Sequence, residues 1–226
     1  MKTKRIFIVG VGFVMAFMLW TVLVRLVDVK AIGPMESSVG FATMNGYVHS
    51  LIGVNMPLYT ITDWLGLVPI GIAFGFAMLG LTQWIKRRGI LNVDRSILTL
   101  GGFYIIVIAV YVLFEYVVIN YRPVLIDGYL EASYPSSTTL LVTCVMPTAI
   151  MEFDARIKNA VIKYFAVSLS FSFIAFMVIG RLVAGVHWFS DIIGGALLST
   201  GLVIIYYAVS GHKNPLSRNK NSRLKE

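Results

Sequence analysis

Six apolar runs dominate this sequence, and each approaches the roughly 20 residues that a helix needs to cross a bilayer. They cover residues 6–26, 64–85, 97–119, 138–153, 161–180 and 187–209. With 58% hydrophobic side chains and a mean hydropathy of +0.81, the 226-residue chain is too apolar for a soluble domain of its size. The expected fold is an all-α integral membrane protein, a six-transmembrane-helix bundle, with residues 1–210 forming one membrane domain. The fourth run is short and holds Pro147, which predicts a kinked or partly buried helix. The single cysteine, Cys144, lies inside that run and reads as a packing residue.

Between the first two runs, residues 27–62 are mixed in character, with Gly33-Pro34 and Asn45-Gly46 as turn signals. Ser37 or Ser38 is placed to cap a short helix through Ile52, too short and polar to span, so this segment is expected to be an outer loop with an interfacial helix. Thr62 or Asp63 is placed to cap the second span. Gly194-Gly195 permits close packing in the last span. Residues 211–226 form a basic tail expected to be disordered. The first run, after Lys2, Lys4 and Arg5, lacks a small-x-small cleavage site and reads as a retained helix.

Lysine and arginine set the orientation. Fifteen of the 19 fall on one side, leaving Arg25, Lys30, Arg122 and Arg181 on the other. The positive-inside rule then places both termini in the cytoplasm of a multi-pass cell-membrane protein. The net charge of +8 is accounted for by this asymmetry and calls for no nucleic-acid partner.

The outlying arginines mark the chemistry. Arg122-Pro123 follows the third span, Pro135-Ser136-Ser137-Thr138 opens the fourth, and Arg181 through Asp191 opens the sixth. All three segments emerge on the outer face. Helix N-termini offer free amide donors to an anion, and guanidinium forks suit phosphate oxygens. Ser136, Ser137 and Thr138 add a cap and hydroxyl donors. His187 and Asp191, four residues apart, are expected to share one helix face, where the carboxylate would orient the imidazole. Caps and interfacial charges alone would be the plainer account of the same residues.

The order of these segments resembles the phosphatidic acid phosphatase type 2 family, which includes lipid phosphate phosphatases. That family's motifs are Lys, six residues, Arg-Pro; then Pro-Ser-Gly-His; then Ser-Arg, five residues, His, three residues, Asp. Here Arg122-Pro123, Pro135-Ser136 and Arg181…His187…Asp191 match. Glu115 stands at the lysine position, Ser137-Thr138 at Gly-His, and Gly180 at the serine. The resemblance implies that His187 attacks phosphorus to form a phosphohistidine with Asp191 orienting it. Arg122, Arg181 and Ser136 would hold the phosphate of a membrane lipid phosphate or diphosphate, with no metal or cofactor. It leaves the leaving-group acid unfilled, since threonine's hydroxyl is too weakly acidic. Glu115 and His49 are the titratable substitutes on the outer side. Glu115 is expected on the Arg122 face of a helix, partly buried in apolar surroundings, either paired with that arginine or protonated. His49 is expected on a mobile segment that folds over the site, and is slightly preferred. The alternative is a catalytically silent relative that binds a phosphorylated lipid or a partner protein.

Overall fold

A computed structural model describes residues 2–210; the basic tail 211–226 lies outside the described residues. Eight α-helices occur among them: α1 (Lys2–Leu26), α2 (Ala42–Ile52), α3 (Met56–Leu65), α4 (Leu67–Arg87), α5 (Arg95–Tyr116), α6 (Ser137–Arg156), α7 (Ala160–Val183) and α8 (Phe189–Ser210). Six units are long and apolar enough to cross a membrane: α1, α3 joined with α4, and each of α5 to α8. The fold is the expected all-α six-span bundle, with one small two-stranded ribbon, β1 (Lys30–Ala31) and β2 (Ser38–Val39), at the site end.

Helix α1 packs antiparallel on α8. A Cβ on Gly10 would meet Ile205 at 2.7 Å, and one on Gly201 would meet Val14 at 2.8 Å, so small residues let the two backbones close. Helix α6 is the most enclosed span and has the lowest mean hydropathy, 1.2. It packs against α7 and α8, contains Pro147, and meets protein rather than lipid on most of its surface, which explains its polar composition. Gly194 of α8 gives room to Tyr134, whose ring would lie 2.6 Å from an added Cβ. The Tyr134 hydroxyl bonds Thr21 at 2.7 Å and its ring stacks on Phe17, pinning the loop ahead of α6 to α1 and α8.

Three local expectations change. The second span begins at Met56, inside the segment read as outer loop, and Asn55 caps it by accepting the Leu58 N–H at 2.9 Å. Thr62 is no cap; its hydroxyl donates to the carbonyls of Leu58 and Tyr59. Tyr59, Thr62 and Asp63, which give this stretch its mixed character, face the site rather than lipid. Neither Ser37 nor Ser38 caps the short helix. Ser38 pairs in the ribbon, α2 starts at Ala42, and Asp28 takes the capping role by accepting the Thr43 N–H at 2.6 Å. Lys30 and this N–H hold the Asp28 carboxyl down at about 2. Finally, α5 ends at Tyr116, so residues 117–136 form a longer loop than expected.

At the opposite end of the bundle, Arg156 bonds Glu152 at 2.7 Å, Asp94 at 3.1 Å and Ser96 at 3.0 Å. Asp94 also pairs with Arg87 at 2.8 Å, tying the turn between α4 and α5 to α6. Much of the basic residue count is at this end, away from the site.

Candidate active site

The site is built where α3, α5, α6 and α7 end or begin, closed by the loop 117–136 and the segment 184–188. Gly185 makes that segment turn: its φ is +68°, and a Cβ would fall 1.9 Å from the carbonyl oxygen of Gly53. The chain therefore leaves α7 at Val183, bends, and enters α8 only at Phe189.

His187 lies in this bend, so the expected shared helix face with Asp191 is not what joins them. Asp191 belongs to the first turn of α8, and its Oδ2 accepts the Trp188 N–H at 2.9 Å. The link runs through Ser133. Its hydroxyl donates to Asp191 Oδ2 at 2.5 Å and lies 3.1 Å from His187 Nδ1. His187 Nδ1 also lies 3.2 Å from the Ser133 carbonyl oxygen. A carbonyl only accepts, so the imidazole proton sits on Nδ1 and Nε2 carries the lone pair. Asn120 donates to Asp191 Oδ1 at 3.1 Å, and Ser190 at 3.3 Å, so the buried carboxylate is fully bonded. Sequence reading missed Ser133 and Asn120, and no local signal marks them.

Nε2 faces Arg181, whose NH2 is 3.3 Å away. Arg181 is almost wholly enclosed, at 1% exposure. Burial, then the charges of Arg122 and Arg181, hold the His187 imidazole well below its usual range, so it is neutral near pH 7. Arg181 NH1 bonds the Thr62 hydroxyl at 3.4 Å and pairs with Asp63 at 3.6 Å. The same Thr62 explains Gly180, where a side chain would begin 2.8 Å from the threonine methyl.

Arg122 comes to the same place from the loop. Both guanidinium groups lie over the Tyr59 ring, Arg181 at 5.0 Å and Arg122 at 5.8 Å from its centroid. Arg122 pairs through Nε with Glu131 at 3.0 Å, and not with Glu115, a pairing that was one of the two states open to that carboxyl. The helix stops before Arg122, so Glu115 and Arg122 do not share a helix face. Glu115 is also exposed in the last turn of α5 rather than enclosed by protein. Arg122 NH1 and Arg181 Nε are buried and have no hydrogen-bond partner among the described residues. Two adjacent buried cations with spare donors are costly unless an anion completes them.

A cavity of 550 Å³ opens over these groups, lined among others by Tyr59, Asp63, Glu115, Arg122, Ser137 and Thr138. Ser137 and Thr138, at the start of α6, line it. Ser136 is different. It is buried as the α6 cap, receives the Thr139 N–H at 3.5 Å, and does not line the cavity. His187 does not line it either and is reached through Arg181. His49 shares with His187 a separate crevice of about 10 Å³, its ring edge-on to Trp188 at 5.5 Å. Helix α2 holds it there, because Asn45 bonds the backbone N–H of Ser190 at 3.0 Å, so His49 is not on a mobile flap. Burial lowers its pKa. A second, apolar cavity of 510 Å³ runs between α4, α5 and α6. It shares Asp63, Tyr111, Ser137 and Thr138 with the first.

Residues 116–215 match the family model of the PAP2 superfamily. The match covers a little under half of the chain. That segment contains Arg122, Arg181, His187 and Asp191, and Glu115 stands one position before it. The fold likeness extends further. The crystal structure of a transmembrane PAP2-type phosphatidylglycerolphosphate phosphatase from Bacillus subtilis superposes with a TM-score of 0.52. The match covers 95% of this chain and 96% of that one at 15% identity. No curated protein sequence matches the chain.

Proposed function

We propose that this protein is a membrane lipid phosphate or diphosphate phosphatase working through a phosphohistidine on His187. The observation that carries this is the pairing of a neutral imidazole, proton fixed on Nδ1 by Ser133, with two buried arginines that keep unpartnered donors. The likeness in fold to the Bacillus subtilis phosphatase and the match of residues 116–215 to the PAP2 superfamily support it. Phosphate enters over Arg122 and Arg181, and Arg181 NH2 turns from Nε2 to a phosphate oxygen. Nε2 attacks phosphorus, the bond to the lipid oxygen breaks, and the imidazolium is stabilised by Asp191 acting through Ser133. Water then attacks the phosphohistidine, releasing phosphate and restoring His187. The adjoining apolar cavity takes a lipid chain leaving the same headgroup pocket, which favours a lipid over a soluble phosphate ester.

The leaving oxygen needs a proton unless it is itself phosphate. Glu115 lines the headgroup cavity and His49 does not, so the geometry favours Glu115, reversing the preference drawn from sequence. Glu115→Gln is expected to slow a lipid monophosphate about 100-fold or more and a diphosphate far less, while His49→Gln changes neither. Turnover of both substrate types by purified variants checks this. An unchanged ratio in Glu115→Gln would assign the proton to water or substrate.

His187 also fixes the acid limb of the pH profile. Its pKa is depressed, so the neutral nucleophile persists as pH falls through 6.5 and is lost only well below it. The kcat/KM profile for a diphosphate lipid should show this limb displaced to acid. The same sign applies to stability: burial of the neutral ring destabilises the fold only below pH 6.5, where the unfolded histidine takes up protons first.

Action at the outer face follows from the 15-to-4 charge split, with both termini in the cytoplasm. In a Cys144→Ala background, an impermeant thiol reagent should label a cysteine at position 129 in intact cells but not one at position 87. The reverse pattern would invert the topology.

A further inference from the structure

Asn45, read from the sequence as a turn residue, is instead a helical residue of α2 and is fully buried. Its side chain bonds in three directions. Oδ1 accepts the Ser190 N–H at 3.0 Å. Nδ2 donates to the Ser190 hydroxyl oxygen at 2.9 Å and to the Gly40 carbonyl at 2.7 Å. A backbone N–H only donates and a carbonyl only accepts, so both ends of the amide are assigned. A tie between α2 and α8 needs only the first of these bonds. The bond to the Ser190 hydroxyl does something further, because Ser190 reaches Asp191.

Asn45 donates to the Ser190 oxygen, so the Ser190 proton is turned the other way, onto Asp191 Oδ1 at 3.3 Å. Asn120 donates to the same Oδ1 at 3.1 Å and accepts the Gly40 N–H at 3.3 Å. Gly40 thus holds both amides, one on its carbonyl and one on its N–H. Its peptide lies hard against α1, where an added Cβ would fall 1.5 Å from the Val24 carbonyl oxygen. Ser133 and the Trp188 N–H serve Oδ2, which gives Asp191 two donors on each oxygen. A buried carboxylate held at both oxygens keeps its plane, and Oδ2 stays on the Ser133 hydroxyl that adjoins His187.

We propose that Asn45 is a positioning residue for the phosphatase reaction. It aims the Ser190 hydroxyl and, with Asn120 through Gly40, sets the Asp191 carboxylate that orients His187. The inference rests on the phosphohistidine reading above. Asn45 does not line the headgroup cavity, so it acts on the nucleophile and leaves phosphate binding to the arginines. Helix α2 and the ribbon before it lie outside residues 116–215, yet they belong to the reaction apparatus and are not merely a cover over it.

The test is a double-mutant cycle on full-length protein in detergent: wild type, Asn45→Ala, Ser190→Ala and the double variant. Two quantities are read, kcat for a diphosphate lipid and the inhibition constant of inorganic phosphate. Each single variant is expected to lower kcat about tenfold or more while the phosphate constant stays within about twofold. Because Asn45 acts through Ser190, the double variant should fall no more than about threefold below the lower single one. Ser190→Ala keeps the backbone N–H that docks α2, so it decides the matter should Asn45→Ala fold poorly. A kcat within about threefold of wild type in Ser190→Ala or in folded Asn45→Ala overturns the inference. So does phosphate affinity that falls in step with kcat, which marks a structural tie only, and so do two effects that multiply in the double variant. A wild type that releases no phosphate fails the phosphatase reading and this inference with it. An active wild type matched by its variants fails this inference alone.

Discussion

His187→Ala is expected to cut phosphate release from lipid phosphates and diphosphates by on the order of 10⁴-fold or more, because it removes the attacking atom rather than a supporting contact. Nε2 carries the lone pair once Nδ1–H is held by Ser133, and among the described residues no other imidazole adjoins the arginines. Phosphate or vanadate binding should fall by less than about tenfold, since Arg122 and Arg181 keep their donors. The substitution removes a buried ring bonded to Ser133, with a stability cost of about 1–3 kcal/mol. Binding and release must therefore be measured on the same folded preparation. Release within tenfold of wild type would rule His187 out as nucleophile. Binding without release in wild type itself would make this a silent relative that holds a phosphorylated lipid.

Arg181→Lys should have the second largest effect and should exceed Arg122→Lys. Besides its ion pair with Asp63, Arg181 makes three contacts at once: NH2 to His187, NH1 to Thr62, and its plane over Tyr59. A lysine ammonium keeps the charge but has no planar fork with which to meet all three. Loss of one or two charge-assisted bonds, each about 1.5–3 kcal/mol, predicts a fall in vanadate affinity of roughly 10-fold to more than 100-fold. Arg122 reaches Tyr59 at a longer distance and spends Nε on Glu131, so its lysine variant should lose less. Vanadate titration of the two variants in detergent checks the order. Equal affinity across wild type and both variants would reduce these arginines to interfacial anchors.

The same residues show how far the chain could be read before its structure. Six spans were legible because hydropathy is a local property, and a helix in hydrocarbon must satisfy its own backbone. Misreading concentrated at Tyr59, Thr62 and Asp63. A polar residue that faces an internal site looks, in one dimension, like a residue outside the membrane. The second span therefore appeared to begin at residue 64 when it begins at Met56.

The residues of the candidate site were partly visible for the opposite reason. Arg122 and Arg181 stand out against the charge asymmetry, and His187 and Asp191 stand out by type and spacing. Their geometry was not. Spacing of four suggested one helix face, yet Gly185 bends the chain, and Ser133, 54 residues from His187 and 58 from Asp191, supplies the bridge. Thr62 meets Arg181 across 119 residues, and Tyr59 unites two arginines from different segments. The membrane class and the span count were legible from the sequence, because both are encoded in side-chain type and short-range pattern. Only the tertiary structure decided which carboxylate faces which arginine and which nitrogen of His187 carries the lone pair. Those relations arise from packing between segments far apart in the chain, and no local periodicity records them.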